Sequence, residues 1–358
     1  MKLKHREPIT DTNLLLTITM CTFFGMYIFA MAIWGGGFLN PQQFLDIFNN
    51  NAALIIISAG LSVVMVAGGI DISVGGIITL VTMSCVVCLD DKGFGVLEIL
   101  FLALGIGVAF GLMQGFLIAC LEIQPFIITL AGMFFAKGMT TIVSATPRTS
   151  TNEAFLALKN LRIKIPGIGS YGKLGNFIPA SIELGVVIAL VVVVIIFVVL
   201  RWTKFGRSLY AIGGNNQSAL MLGINVKRTR FFSYLLCGVL SGTAGFVYLL
   251  HTGSGDAANA AGAEMEAIAS SIIGGTLLTG GVGNIVGTLF GTLSLKTITS
   301  IVVASGLREP YWQKITTGAM LCVFILLQSI VLARRGKTGF KIAVPAWLKF
   351  ERKSGGAK

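Results

Sequence analysis

The sequence predicts an all-α, polytopic membrane protein of about ten transmembrane helices with glycine-rich broken segments. Three observations predict it. Of 358 residues, 54% are hydrophobic and only 12% charged, about half the charged share of a soluble globular chain. Mean hydropathy is +0.85. The apolar residues also fall in continuous runs, most of them about 17–23 residues long, enough to cross about 30 Å of hydrocarbon as a helix. Continuous runs exclude a β-barrel, whose strands alternate. The scarcity of charge excludes a soluble enzyme, a secreted disulfide scaffold and a disordered chain.

Ten runs follow in order: 14–33, 52–70, 72–89, 99–120, 124–144, 184–200, 231–250, 267–279, 284–304 and 315–333. The first begins after a basic arm and contains Ala30-Met31-Ala32, which resembles a signal-peptide cleavage site. Its length exceeds a usual signal-peptide apolar region, so it reads as a retained anchor helix. The eighth run is short and reads as a half-crossing or re-entrant segment, the alternative being glycine-mediated helix packing. Basic residues set the direction. With both termini cytoplasmic, the N-terminal arm, the loop 201–230 and the segment 334–358 hold 17 of the 27 Lys and Arg, the bias expected of cytoplasmic pieces. The net charge of +12 is therefore a topology signal and no footprint of nucleic acid, because the charges flank membrane spans. The organisation expected is a transmembrane domain over 1–334 and a basic cytoplasmic tail over 335–358.

No catalytic set and no metal-ligand set is visible. His5 and His251 are the two histidines, and no H-E-x-x-H or G-x-S-x-G occurs. Cys85 and Cys88 form a C-x-x-C inside an apolar run and read as packing thiols. Arg335-Gly336-Lys337-Thr338 resembles the end of a phosphate-binding loop, but Val331 stands where the motif needs glycine. By that motif the chain binds no ATP.

Four segments carry the informative patterns. GGIDISVGG (68–76) joins the second and third runs with almost no loop. It reads either as a tight turn capped by Asp71 or as a discontinuous helix beside a substrate path, since unwound backbone is tolerated in a membrane only where protein or a water-filled cavity covers it. EMEAIASSIIGGTLLTGGVGNIVGTLFGTL (264–293) opens on Glu264 and Glu266 and contains the short eighth run. In the loop 201–230, Asn215 or Asn216 is a good N-cap, 217–222 a short helix and Gly223 a good stop. Ala219, Leu220 and Leu222 give that helix an apolar face. It reads as a knob for a partner or as a loop helix lying on the membrane. The outward loop 145–181 contains an amphipathic turn or two near 152–161, with Phe155, Leu156 and Leu158 facing either the membrane interface or a docking platform.

These same blocks carry a resemblance. GGIDISVGG, PFIITLAGMFF (125–135), GRSLYAIGGNNQSALMLGI (206–224) and the 264–293 stretch, in that order, resemble the permease subunits of bacterial ABC importers for monosaccharides. The ribose/xylose/galactofuranose type is meant, with galactofuranose- and fructose-type permeases the most similar. The resemblance implies an inner-membrane protein with no cofactor of its own. It implies a second permease subunit, identical or paralogous, a cytoplasmic ABC ATPase that holds ATP and Mg²⁺, and an extracytoplasmic sugar-binding protein. It makes the loop helix the coupling element, with Asn215, Asn216, Ser218, Ala219, Leu220, Leu222 and Gly223 as its residues. The candidate residues for a weakly polar pathway are Asp71, Ser73, Thr129, Glu264, Glu266 and Thr276. The competing reading is a secondary sugar/ion symporter, for which Asp71 and Lys296 are the available charged groups.

Overall fold

The computed structural model describes residues 9–35, 37–171 and 177–334. The basic arm with His5 and the tail at 335–358 lie outside the described residues. Six helices come first: α1 (Ile9–Trp34), α2 (Pro41–Asn49), α3 (Ala52–Val66), α4 (Val74–Asp91), α5 (Val96–Ala119) and α6 (Pro125–Val143). The short strand β1 (Arg148–Thr149), helix α7 (Glu153–Lys159) and strands β2 (Arg162–Tyr171) and β3 (Phe177–Glu183) follow. Then come α8 (Leu184–Trp202), α9 (Lys204–Gly214), α10 (Asn216–Met221), α11 (Val226–Thr252), strand β4 (Ser254–Gly255), α12 (Ala263–Ile273), α13 (Ile285–Ala304) and α14 (Pro310–Arg334).

Among the described residues, seven helices are long and apolar enough to cross a membrane, or eight spans if α2 and α3, bent by 53°, make one. That is fewer than the ten runs. The run 52–70 is helical only to Val66, where α3 ends after 15 residues. The run 267–279 yields α12, whose 11 residues rise about 16 Å, half a hydrocarbon core.

The centre of the bundle is α3, α4 and α11. Every residue of α3 is buried, which its unbroken apolar sequence demands. Helices α5 and α11 lie against each other along Gly107, Gly111 and Gly115 on one side and Gly238 and Gly242 on the other. A Cβ at Gly107 would collide with the Gly238 carbonyl, and one at Gly242 with the Ala103 carbonyl. Small residues bring helix backbones this close in lipid. Helix α1 packs outside α13, where Thr19 Oγ1 donates to the Ile273 carbonyl at 2.8 Å and the Phe23 and Phe290 rings lie 5.7 Å apart.

One end of the bundle departs from expectation. Asn152 caps α7 through Phe155 N at 3.1 Å, as the sequence suggests. Phe155, however, is fully buried in the apolar cluster that contains Val86, Leu89 and Phe246. Helix α7 therefore rests on protein rather than on the membrane interface. The hairpin β2–β3 is a further difference. Its strands pair antiparallel from Arg162↔Glu183 to Tyr171↔Phe177, with a register shift between Lys164 and Gly169. Glu183 pairs with Arg162 inside the hairpin and with His251 Nδ1 of α11 at 2.8 Å, and the second pair ties the hairpin to the bundle. His251 is thus an interface residue.

Candidate translocation site and docking knob

The break between α3 and α4 enters the bundle at Asp71. Asp71 and Ser73 are completely buried. Asp71 Oδ1 accepts from Ser73 N at 2.9 Å and from Ser73 Oγ at 2.6 Å. Cys237 and Tyr234 on α11 face the carboxyl, the Cys237 thiol as a hydrogen-bond partner. Ser73 Cβ and the Gln114 side chain of α5 both abut Gly132 of α6. Gly132 is the eighth residue of α6, so this level is about 10 Å along the helix from its start. The break is an unwound stretch, residues 67–73, that carries Asp71 into the bundle and does not leave it at the surface. A tight turn at the surface would leave Asp71 in water.

A second unwound segment reaches the same level from the opposite end of the bundle. After α11 stops at Gly253, the chain runs down α4. Gly255 lies against Met83, the Asn259 carbonyl accepts from Thr79 Oγ1 at 2.8 Å, and the Glu264 carboxylate presses on Gly75. From Met83 to Gly75 is eight residues, about 12 Å of helix. Glu264 is buried, and its Oε2 has no hydrogen-bond partner among the described residues. Asp71 and Glu264 thus flank the first turn of α4, where the positive end of the helix dipole favours negative charge by about 0.3–1 kcal/mol, and up to about 2 in partly buried sites. A carboxylate at membrane depth costs roughly 2.5–3.5 kcal/mol, so the dipole and the Ser73 bonds offset part of that cost.

The six pathway candidates do not all meet. Asp71, Ser73, Thr129 and Glu264 gather at the start of α4. Thr129 is buried beside Ile70, and its hydroxyl donates to the Pro125 carbonyl of its own helix at 3.0 Å. Glu266 turns away and pairs with Lys296 of α13 at 2.7 Å. That pair neutralises one of the two charged groups that ion coupling would need. Thr276 lies in the break between α12 and α13, buried against Gly283, and its hydroxyl has no hydrogen-bond partner among the described residues. Gln114 was not among the candidates. Its Nε2 is buried and unpaired among the described residues, and a lone amide inside an apolar run was the signal that marks it.

At the far end of the bundle, α10 forms as its cap and stop dictate. Asn215 Oδ1 accepts from Ser218 N at 2.9 Å, and Gly223 turns the chain with φ +77°. Asn216, Ser218 and Asn215 are exposed. Ala219 alone faces inward, into a small cluster with Ile212 and Val226. The tip presents Leu220, Met221 and Leu222, which are 55%, 88% and 78% exposed. A loop helix lying on its own spans would bury these three. Met221, the most exposed, was missed because its place between two leucines gave no periodic signal.

The knob is joined to both breaks. Helix α9 ends at Gly213 and Gly214 directly before Asn215. A Cβ on Gly213 would collide with the Val66 carbonyl and with Gly281 N, and Gly214 Cα lies against Gly281. Gly281 N donates to the Val66 carbonyl at 2.9 Å, and Tyr210 Oη of α9 donates to the Gly283 carbonyl at 2.9 Å. The end of α3, the α12–α13 turn and the base of the knob are therefore one contiguous contact.

Comparison with known proteins gives the family. The family model described as branched-chain amino acid transport system / permease component matches residues 43–325. The chain belongs to this ABC importer permease family. It is 38% identical to the inner membrane ABC transporter permease protein YjfF of Escherichia coli (strain K12), over 88% of this chain and 92% of that protein. It is 35% identical to the fructose import permease protein FruG of Bifidobacterium longum (strain NCC 2705), over 91% and 94%. It is 32% identical to the ribose import permease protein RbsC of Bacillus subtilis (strain 168), over 85% and 91%. No solved structure matches. The permease is a multi-pass membrane protein, and the relatives named for a cargo are sugar permeases, as the sequence motifs implied.

Proposed function

We propose that this chain is a membrane subunit of an ATP-driven monosaccharide importer of the bacterial inner membrane. The knob end and both termini face the cytoplasm, and the β2–β3 end faces outward. Ten segments enter the membrane, with α12 a half-span. The observation that carries this reading is the exposed apolar tip of α10, rigidly seated on the two breaks. A cytoplasmic ABC ATPase, holding ATP and Mg²⁺, docks on Leu220, Met221 and Leu222. A second permease subunit, identical or paralogous, completes the passage, and an extracytoplasmic sugar-binding protein delivers a galactofuranose-, fructose- or ribose-like sugar.

When the ATPase domains close, the knob moves as a lever. Its base is wedged at Gly213 and Gly214 between the end of α3 and the Gly280–Gly281 turn, so displacement is passed to the break that leads into α4. The α4 start then shifts against the 253–264 segment, and the passage beside Asp71, Ser73, Thr129 and Glu264 opens to one side and then to the other. Carboxyl oxygens there offer weak hydrogen bonds to sugar hydroxyls, while tight recognition is left to the binding protein. The test is Leu220→Asp with Met221→Asp. The chain should still insert, and ATPase recovered with it should fall at least about tenfold, the effect of roughly 1.4 kcal/mol. Undiminished ATPase capture by the double variant counts against the docking role.

A further inference from the structure

A cleft of about 380 Å³ lies beside the knob, between the α5–α6 turn and the first turns of α11. Its lining is divided by chemistry. Ile118, Ile123 and Pro125 make it apolar, and Glu122, Lys227 and Arg230 make it charged. Two helices start in it, α6 at Pro125 and α11 at Val226, so both direct positive dipole ends toward it. Glu122 and Lys227 pair at 2.9 Å, but both side chains are well exposed, so solvent screens the pair. The Arg230 guanidinium makes no ion pair or hydrogen bond among the described residues. Arg228 is engaged elsewhere, over the Phe232 ring at 5.7 Å. Glu122 faces both Lys227 and Arg230, so the cleft carries two cations against one carboxylate.

Its position narrows the occupant. Two membrane-length apolar helices meet here, α5 ending at Ala119 and α6 beginning at Pro125, so the cleft stands at the boundary of hydrocarbon and water. Beside it Leu121, Phe126 and Ile127 are exposed apolar side chains. An occupant that matches both halves has an anionic head and an apolar tail. Basic pockets between membrane helices are suited to phosphate headgroups, and Arg presents a planar fork that matches phosphate oxygens.

We propose that this cleft binds an anionic phospholipid, its phosphate on Arg230 and Lys227 and its acyl chains along the exposed apolar side chains of the α5–α6 turn. Asn216 and Leu220 of α10 line the same cleft, so the lipid abuts the knob. Glu122 competes with the phosphate for Lys227, which makes Glu122 the residue whose removal tightens binding.

The experiment is native mass spectrometry of the full chain, delipidated in detergent and titrated with phosphatidylglycerol, phosphatidylcholine or inorganic phosphate. Phosphatidylglycerol should be retained one per chain in preference to phosphatidylcholine. Arg230→Gln should weaken that retention about tenfold, and Glu122→Gln should strengthen it severalfold. Millimolar phosphate should leave it in place, because phosphate lacks the tail. Equal retention of the two lipids, unchanged retention in both variants, or displacement by phosphate alone would overturn the proposal. Glu122→Gln serves where Arg230→Gln fails to fold, since Glu122 is an exposed loop residue.

Discussion

Two glycine-rich regions of this permease use the same residue for opposite ends. Along α5 and α11, Gly107, Gly111, Gly238 and Gly242 sit in ordinary helix, and their missing side chains let two backbones touch over several turns. In the α12–α13 turn, Gly280 and Gly281 have φ of +84° and +73°, a region that costs other residues roughly 1–2 kcal/mol. There glycine lets the chain reverse inside the bundle and meet Gly68 and Gly213. The first region is a seam of helix backbone against helix backbone. The second is a joint, and it packs the end of α3 against the base of α10. A glycine count alone therefore says little. What distinguishes frame from joint is whether the backbone stays helical.

The comparison can be broken most severely at the seam. Gly107→Leu puts a branched side chain into the Gly238 carbonyl, and neither backbone can retreat. Overpacking of this kind costs more than about 3 kcal/mol, so the variant should give no monodisperse protein on size exclusion. Gly280→Ala should do less damage to folding and more to function. The left-handed φ and the approach to Gly68 and Gly213 cost on the order of 2 kcal/mol. The protein should remain folded with a lowered Tm and should capture the ATPase while transporting poorly. Transport at the parental rate would show that the joint is not in the path.

At Asp71 the comparison sharpens into one of chemistry. Asp71→Asn keeps an oxygen for the Ser73 amide and hydroxyl, and should cost less than about 1 kcal/mol in thermal stability. Asp71→Leu strands both Ser73 donors and should cost about 1–3 kcal/mol. Equal losses in the two would mean that the carboxyl's bonds to Ser73 do not hold the break. The smallest effect on stability belongs to Leu220→Asp, within about 0.5 kcal/mol for an exposed position, although its effect on ATPase recovery is large.

Much of this was legible in the chain. Seven of the ten apolar runs coincide with membrane-length helices among the described residues, and Asn215 with Gly223 placed α10 almost to the residue, because caps and stops are local chemistry. Depth was not legible. Nothing in the period of 253–264 says that it descends about 12 Å along α4, since its small residues fit any irregular backbone. For the same reason Asp71 read equally well as a surface cap. The hairpin at 162–183 escaped because its Pro and Gly residues suggested turns, and its pairing joins residues 21 apart, Arg162 to Glu183. The residues whose roles depend on long-range contact, Gln114 against Gly132 and Phe155 against the α4 core, are the ones that periodicity alone misplaces.

The claim that most needs testing is that this chain moves sugar only when an ATPase drives its knob. The direct measurement is uptake of labelled monosaccharide into sealed proteoliposomes that contain the permease subunits, with binding protein outside and ATP enclosed, in the presence and absence of the ATPase. Uphill accumulation should require both ATPase and ATP, and should vanish with the Leu220→Asp, Met221→Asp double variant. Accumulation by the permease alone under an ion gradient would contradict the account.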